Sequence, residues 1–288
     1  MGGRRVSTGT TATAAADTNQ TAGARRITAA FSGASAAGRT ALIPYVVAGY
    51  PTHDDSFAAA CAAIDAGADI LEIGLPYSDP LADGATLQRA SRVSLLNGAT
   101  LDRSLALVAR VVAARPTVPI VTMGYANQLI GGGDGRDRAT ALVAAGAAGV
   151  IVADLTPDEG APFEAVAADA GLAVIYLVAP TTAPDRLRTV AGRSGGFLYC
   201  VSLVGVTGAR SSLPPSVRAL VASVRAVSPV PVAVGFGVST PAHVRALAAS
   251  GADGVIVASA LVDALGASGM NVDAMAALVA SLRAATAR

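Results

Sequence analysis

The chain has 288 residues, enough for one large domain or two smaller ones with a substantial core, and a formal net charge of +1. That balance offers no electrostatic surface for nucleic acid or an anionic membrane. Although 52% of the residues are hydrophobic, Gly, Asp or Arg interrupts the apolar stretches before any could span a bilayer.

Residues 1–25 are small, polar and without periodicity, and read as a disordered leader; Arg4, Arg5, Arg25 and Arg26 flank no apolar segment of a secretory signal. A short amphipathic helix is predicted over 26–37, opening a single domain at 26–288. A strand over 41–47 and a helix over 52–66 follow, with Thr52 as N-cap, Asp54 and Asp55 in the first turn and Gly67 as stop. The second strand, 69–75, leads to helical sequence over 87–96 and 101–114. Further strand–helix pairs fall at 119–123 and 138–145, 149–153 and 162–170, 172–177 and 184–191, and 197–202 and 215–227. The last two pairs are 231–234 with 241–249, and 253–258 with a helix within 272–284. Eight units in one chain predict an α/β fold, a (β/α)8 TIM barrel with an extra N-terminal helix. A doubly wound open sheet would carry a Gly-rich fingerprint after its first strand, and Gly49-Tyr50-Pro51 is not one.

The absences narrow the chemistry. All 21 basic residues are arginines, and without a lysine neither Schiff-base aldolase chemistry nor covalent attachment of pyridoxal phosphate is open to this chain acting alone. Two histidines, His53 and His243, make metal sites and Ser-His-Asp triads poor candidates. Acid–base work falls to carboxylates and tyrosines. Cys61 and Cys200, isolated in apolar surroundings, fit buried thiols of a cytoplasmic protein.

Within the second strand stands Glu72, where either face would desolvate a carboxylate. The loop beyond it holds Asp79 and Asp83, and strand-end and loop acids at the C-terminal face are where a barrel places its active site. Three later loops, Gly205-Val-Thr-Gly208, Gly235-Phe236-Gly237 and Ala258-Ser259, can cradle a phosphate with backbone N–H groups. Tyr45, Tyr125 and Tyr199 fall at strand ends, where they either fill the barrel mouth or wall an aromatic pocket with Met123 and Phe236.

The run from Leu71 to Gly84, Leu-Glu-Ile-Gly-Leu-Pro-Tyr-Ser-Asp-Pro-Leu-Ala-Asp-Gly, closely resembles the signature of the tryptophan synthase alpha subunit family. The likeness extends to Pro44-Tyr45, Tyr125-Ala-Asn127, Gly205 to Ala209, Gly235-Phe-Gly237 and Ser259-Ala260. It implies retro-aldol cleavage of indole-3-glycerol phosphate to indole and glyceraldehyde 3-phosphate, without a cofactor in this chain. Glu72 matches the general acid–base and Asp83 the second catalytic acid, which accepts the indole N–H. Thr207 matches the residue that bonds Asp83 when the loop after strand six closes. Gly208, Gly237, Ala258 and Ser259 match the phosphate site, and Tyr125, Tyr199 and Phe236 the pocket walls. The resemblance also implies a beta-subunit partner, which carries the pyridoxal phosphate, in an alpha2beta2 complex, with the Asp79-Pro80 loop and the Gly131–Asp134 turn as candidate docking surfaces. Ala258 stands where many relatives have Gly, Ala85 where Pro is usual, Tyr50 where an acid is common, and Leu203 and Val204 where the pattern is more polar. A free-standing lyase releasing indole would keep the same site; a non-catalytic partner-activating homologue would not need both acids, and phosphosugar isomerases of this fold commonly rely on Lys or His.

Overall fold

The computed structural model describes residues 20–201, 215–235 and 237–288. The chain runs through α1 (Ala22–Ala36), β1 (Ala41–Val47), α2 (His53–Asp65), β2 (Leu71–Gly74), α3 (Ala85–Leu96), α4 (Leu101–Ala114) and β3 (Ile120–Gly124). It continues with α5 (Ala126–Leu129), α6 (Arg136–Ala144), β4 (Gly149–Val152), α7 (Pro157–Ala170), β5 (Ala173–Ile175), β6 (Leu177–Val178), α8 (Pro184–Arg193) and β7 (Leu198–Val201). The last elements are α9 (Pro215–Arg225), β8 (Val232–Gly235), α10 (Pro241–Ala249), β9 (Gly254–Val257), α11 (Ser259–Ala264) and α12 (Val272–Ala284).

The strands form one parallel sheet in the order β5-β4-β3-β2-β1-β9-β8-β7-β6, a nearly closed barrel ringed by helices, as the strand–helix rhythm predicts. Eight strand positions hold nine strands because the fifth is split at Tyr176. Its first half pairs with β4 and its second with β7. Between them the Tyr176 N–H donates to Ser194 Oγ at 3.0 Å, while its carbonyl accepts from the Tyr199 N–H at 3.0 Å. The main chain therefore changes partners at one residue.

Strand alternation divides the apolar residues into two layers. Ala41, Ile43, Ile70, Val121, Ile151, Ile175, Phe197, Ala233 and Ile256 fill the barrel interior, and a larger Val-, Leu- and Ala-rich layer seals the sheet against the helices. Helix α1 adds Ala24, Ile27, Phe31 and Ala34 to the interior layer, plugging the N-terminal mouth. It begins at Ala22, four residues before the predicted 26, because Thr21 accepts the Ala24 N–H at 3.0 Å and caps it. Gly23 is needed there: a Cβ would lie 1.8 Å from the Ala148 carbonyl oxygen. Helix α7 also starts earlier than predicted, with Pro157 at its N-terminus and Asp158 and Glu159 in its first turn, so that Pro162 falls inside it. Cys200 is buried as expected, but Cys61 on α2 is only half-buried.

The split strand is held by an ion pair. Glu164 of α7 is 1% exposed, and Arg193 at the end of α8 donates to its Oε2 from Nη2 at 2.7 Å and Nε at 3.1 Å. The Tyr176 hydroxyl donates to the other carboxylate oxygen. Removing one partner of such a pair strands a buried charge, so Arg193→Ala is expected to lower unfolding free energy by about 3 kcal/mol in urea titration. A loss below about 1 kcal/mol would class the pair with exposed ones.

Candidate active site

Glu72 enters the barrel from β2, on the same face as Ile70, opposite Tyr45 of β1 and Val121 of β3. It is 1% exposed, and its Oε2 has no hydrogen-bond partner among the described residues. Burial, reinforced by the nearby Asp83 carboxyl, pushes its pKa up to about 8. A group in this state is a neutral acid at pH 7 with a proton to give.

Asp83 stands on the loop from β2 to α3. The loop is closed by a turn in which the Asp83 N–H donates to the Pro80 carbonyl at 3.0 Å. Gln88 Nε2 donates to the Asp83 carbonyl at 2.9 Å. The Tyr125 hydroxyl accepts from the Ala82 N–H at 3.1 Å and donates to the Asp83 carboxylate. Burial raises Asp83 to about 6, while the Tyr125 bond opposes the rise. The two acids are thus set apart, one neutral and one ionised at pH 7.

The tyrosines close the mouth around them. Tyr45 and Tyr199 are buried, with hydroxyl pKa values raised first by desolvation and then by the two carboxyls. Each folds over a strand glycine. A Cβ at Gly74 would lie 1.8 Å from the Tyr45 hydroxyl, and one at Gly235 would lie 2.7 Å from that of Tyr199. Tyr125 stacks on Tyr77 with ring centroids 5.1 Å apart and planes 21° apart.

Beside Tyr199 a small cavity opens between Gly235, Gly237, Val238, Ile256, Ala258 and Ser259. Gly237 has φ +51°, which favours glycine at this turn, and α11 begins at Ser259. Three of the four residues matched to the phosphate site, Gly237, Ala258 and Ser259, meet at one place with Tyr199. Thr207, Gly208 and Phe236 lie outside the described residues, as do Leu203 and Val204.

Several supporting residues escaped the sequence reading. Gln128 Nε2 donates to the Pro76 carbonyl at 3.1 Å, and Asn127 Nδ2 to the Tyr77 hydroxyl at 2.9 Å, tying α5 to the loop after β2. Asp154 accepts the Ala126 N–H at 2.7 Å and holds α5 in turn. Only Asn127 had a sequence signal, as part of Tyr125-Ala-Asn127. Among the described residues no group of three or more His, Cys, Asp or Glu is placed to hold a metal ion, and no helix is long and apolar enough to cross a membrane.

Comparison with known proteins identifies the family. A family model described as tryptophan synthase alpha chain matches residues 31–287. The tryptophan synthase alpha chain of Roseiflexus castenholzii is 45% identical over 240 residues, covering 83% of this chain and 91% of that one. That of Geobacter sulfurreducens is 46% identical over 237 residues, covering 82% and 89%. A structure of Mycobacterium tuberculosis tryptophan synthase superposes with a TM-score of 0.84 at 40% identity, covering 91% of this chain and 98% of that one. The alpha subunit from Legionella pneumophila superposes with a TM-score of 0.82 at 34% identity, covering 91% and 98%. With most of its length matched and its barrel superposed on theirs, the chain belongs to the tryptophan synthase alpha chain family.

Proposed function

We infer that this chain is a carbon–carbon lyase that cleaves indole-3-glycerol phosphate to indole and glyceraldehyde 3-phosphate in tryptophan biosynthesis. The observation that supports it most directly is the buried carboxyl of Glu72 at the barrel mouth, whose Oε2 has no partner among the described residues, with Asp83 close enough to raise its pKa. Protonated Glu72 gives its proton to indole carbon 3. The positive charge that appears on the ring nitrogen is met by ionised Asp83, which accepts the indole N–H. Glu72, now a carboxylate, takes the proton of the side-chain hydroxyl. The C–O bond becomes a carbonyl as the carbon–carbon bond breaks, and its electrons return to the ring. One proton enters and one leaves, so Glu72 is restored.

Tyr45, Tyr125 and Tyr199 wall the pocket. Gly208, Gly237, Ala258 and Ser259 hold the phosphate, Phe236 is an apolar wall, and Thr207 bonds Asp83. The methyl of Ala258 leaves its N–H available. Proton transfer and hydrogen bonding account for every step, so no cofactor is assigned to this chain. The protein works in the cytoplasm.

A tryptophan synthase beta subunit, carrying pyridoxal phosphate, is the proposed partner in an alpha2beta2 complex. The Asp79-Pro80 loop, beside which Leu81 is 83% exposed, is one docking surface. The Gly131–Asp134 turn is the second docking surface. Indole release by the full chain is expected to rise by about tenfold or more when a beta subunit is added. Fast turnover indifferent to beta would make the chain a self-sufficient lyase, and no indole under either condition would refute the assigned reaction.

A further inference from the structure

Helix α3 begins directly after the Asp83 loop, and its N-cap, Gly84, offers no side-chain hydrogen bond to the first turn. Ala85 supplies none of the stiffness a proline would give there. Something else holds this turn. Asp263 of α11 accepts both the Thr86 hydroxyl and Arg89 Nη2, each at 3.3 Å and both on Oδ1. Between those two residues, Gln88 reaches back to the carbonyls of Asp83 at 2.9 Å and Pro80 at 3.4 Å. Helix α11 is anchored by buried Leu261 and Val262, and its first residue, Ser259, lines the cavity beside Tyr199.

We propose that Asp263 is a positioning residue that couples the phosphate corner to the Asp83 loop, through Thr86 and Arg89 on α3. This rests on the assignment of Asp83 and the phosphate corner given above. Phosphate seated against Ser259 fixes the start of α11. Asp263, a little over one turn further on, fixes the first turn of α3, and Gln88 fixes the backbone that carries Asp83. Binding energy from the non-reacting end of the substrate is thereby used to orient a reacting group. The carboxylate also lies near the positive end of the α3 dipole. Both partners of the Arg89 pair have side chains 58% exposed, so the contact contributes little to global stability and its effect is on loop order.

The test is steady-state kinetics of the full chain, with and without a beta subunit, for Asp263→Ala, Asp263→Glu and the double variant Thr86→Ala/Arg89→Ala. Asp263→Ala is expected to lower kcat by about threefold to tenfold without raising KM, weakening glycerol 3-phosphate binding or moving the unfolding midpoint. Asp263→Glu should recover part of the loss. The double variant should match Asp263→Ala, and combining all three changes should add nothing further. A parental kcat in Asp263→Ala, or a loss matched by higher KM and lower stability, overturns the proposal. Asp83→Asn is measured alongside. If it retains turnover, the site assignment fails and takes this inference with it; if it is impaired while Asp263→Ala is parental, this inference alone fails.

Discussion

Glu72→Gln is expected to cut indole release by about 10²- to 10⁴-fold, the range that a positioned general acid–base supplies. The amide keeps the size and shape of the carboxyl but cannot give carbon 3 a proton or take the one from the hydroxyl. Glycerol 3-phosphate affinity should stay near parental, because the phosphate corner is lined from β7, β8 and β9 and not from β2. Stability gives an independent reading. In the folded chain Glu72 holds its proton to about pH 8, whereas an unfolded glutamate loses it near its ordinary value of 4.5. Between these values the native state binds one proton more than the unfolded state, so the Glu72 contribution to stability falls as pH rises through this window and is fully lost above about 8. Glutamine has no such dependence. The unfolding free energy of Glu72→Gln relative to parent should therefore rise by about 2–3 kcal/mol from pH 5 to pH 7, whatever the amide itself costs to bury. Retained turnover would remove Glu72 as the general acid. A flat stability difference would show that its carboxyl is not held neutral.

The barrel was legible because its punctuation is local. Gly67 and Gly251, both at positive φ, end their helices in Ala-Gly-Ala-Asp and Ser-Gly-Ala-Asp, and Gly146 does the same in Ala-Gly-Ala. Asp69 then accepts the Leu42 N–H at 2.9 Å and Asp253 the Val232 N–H at 3.0 Å, so the same residues tie the strand bottoms together. Features fixed by distant partners were not legible. Nothing in 172–177 marks Tyr176 as the point where a strand breaks, since the break is set by Ser194 and Glu164 on neighbouring elements. The start of α1 was masked by a leader composition that hides Thr21 as a cap. In the site, Glu72 was visible because a carboxylate on an apolar strand conflicts with its surroundings, and such conflicts mark function. Gln128, Asp154 and Asp263 are ordinary polar residues of loops and helix faces. Their meaning comes only from what they touch across 52, 28 and 177 residues of chain.

Asp83→Asn is expected to lower turnover by about 10²-fold and to change the shape of the pH profile. In the proposed mechanism, cleavage requires Asp83 ionised, so that its charge meets the ring nitrogen, and Glu72 protonated. With Asp83 at about 6 and Glu72 at about 8, kcat/KM for the free enzyme should describe a bell with its plateau near neutrality. Because the Asp83 charge is one cause of the raised Glu72 pKa, the alkaline limb belongs to the pair. The asparagine variant separates them. Removing the group that titrates near 6 should abolish the acid limb and leave the slow residual rate level as pH falls. Removing its negative charge also withdraws the second cause of the raised Glu72 pKa, so the alkaline limb should move to lower pH, while burial keeps it above the ordinary carboxylate range. Loss of one limb and displacement of the other cannot come from general destabilisation, which would lower the whole bell. An acid limb still present near pH 6 in Asp83→Asn would mean that another group carries it, and Asp83 would lose its place in the reaction. An unmoved alkaline limb would mean that the two carboxyls do not sense one another, and the division into one neutral acid and one fixed charge would have to rest on burial alone.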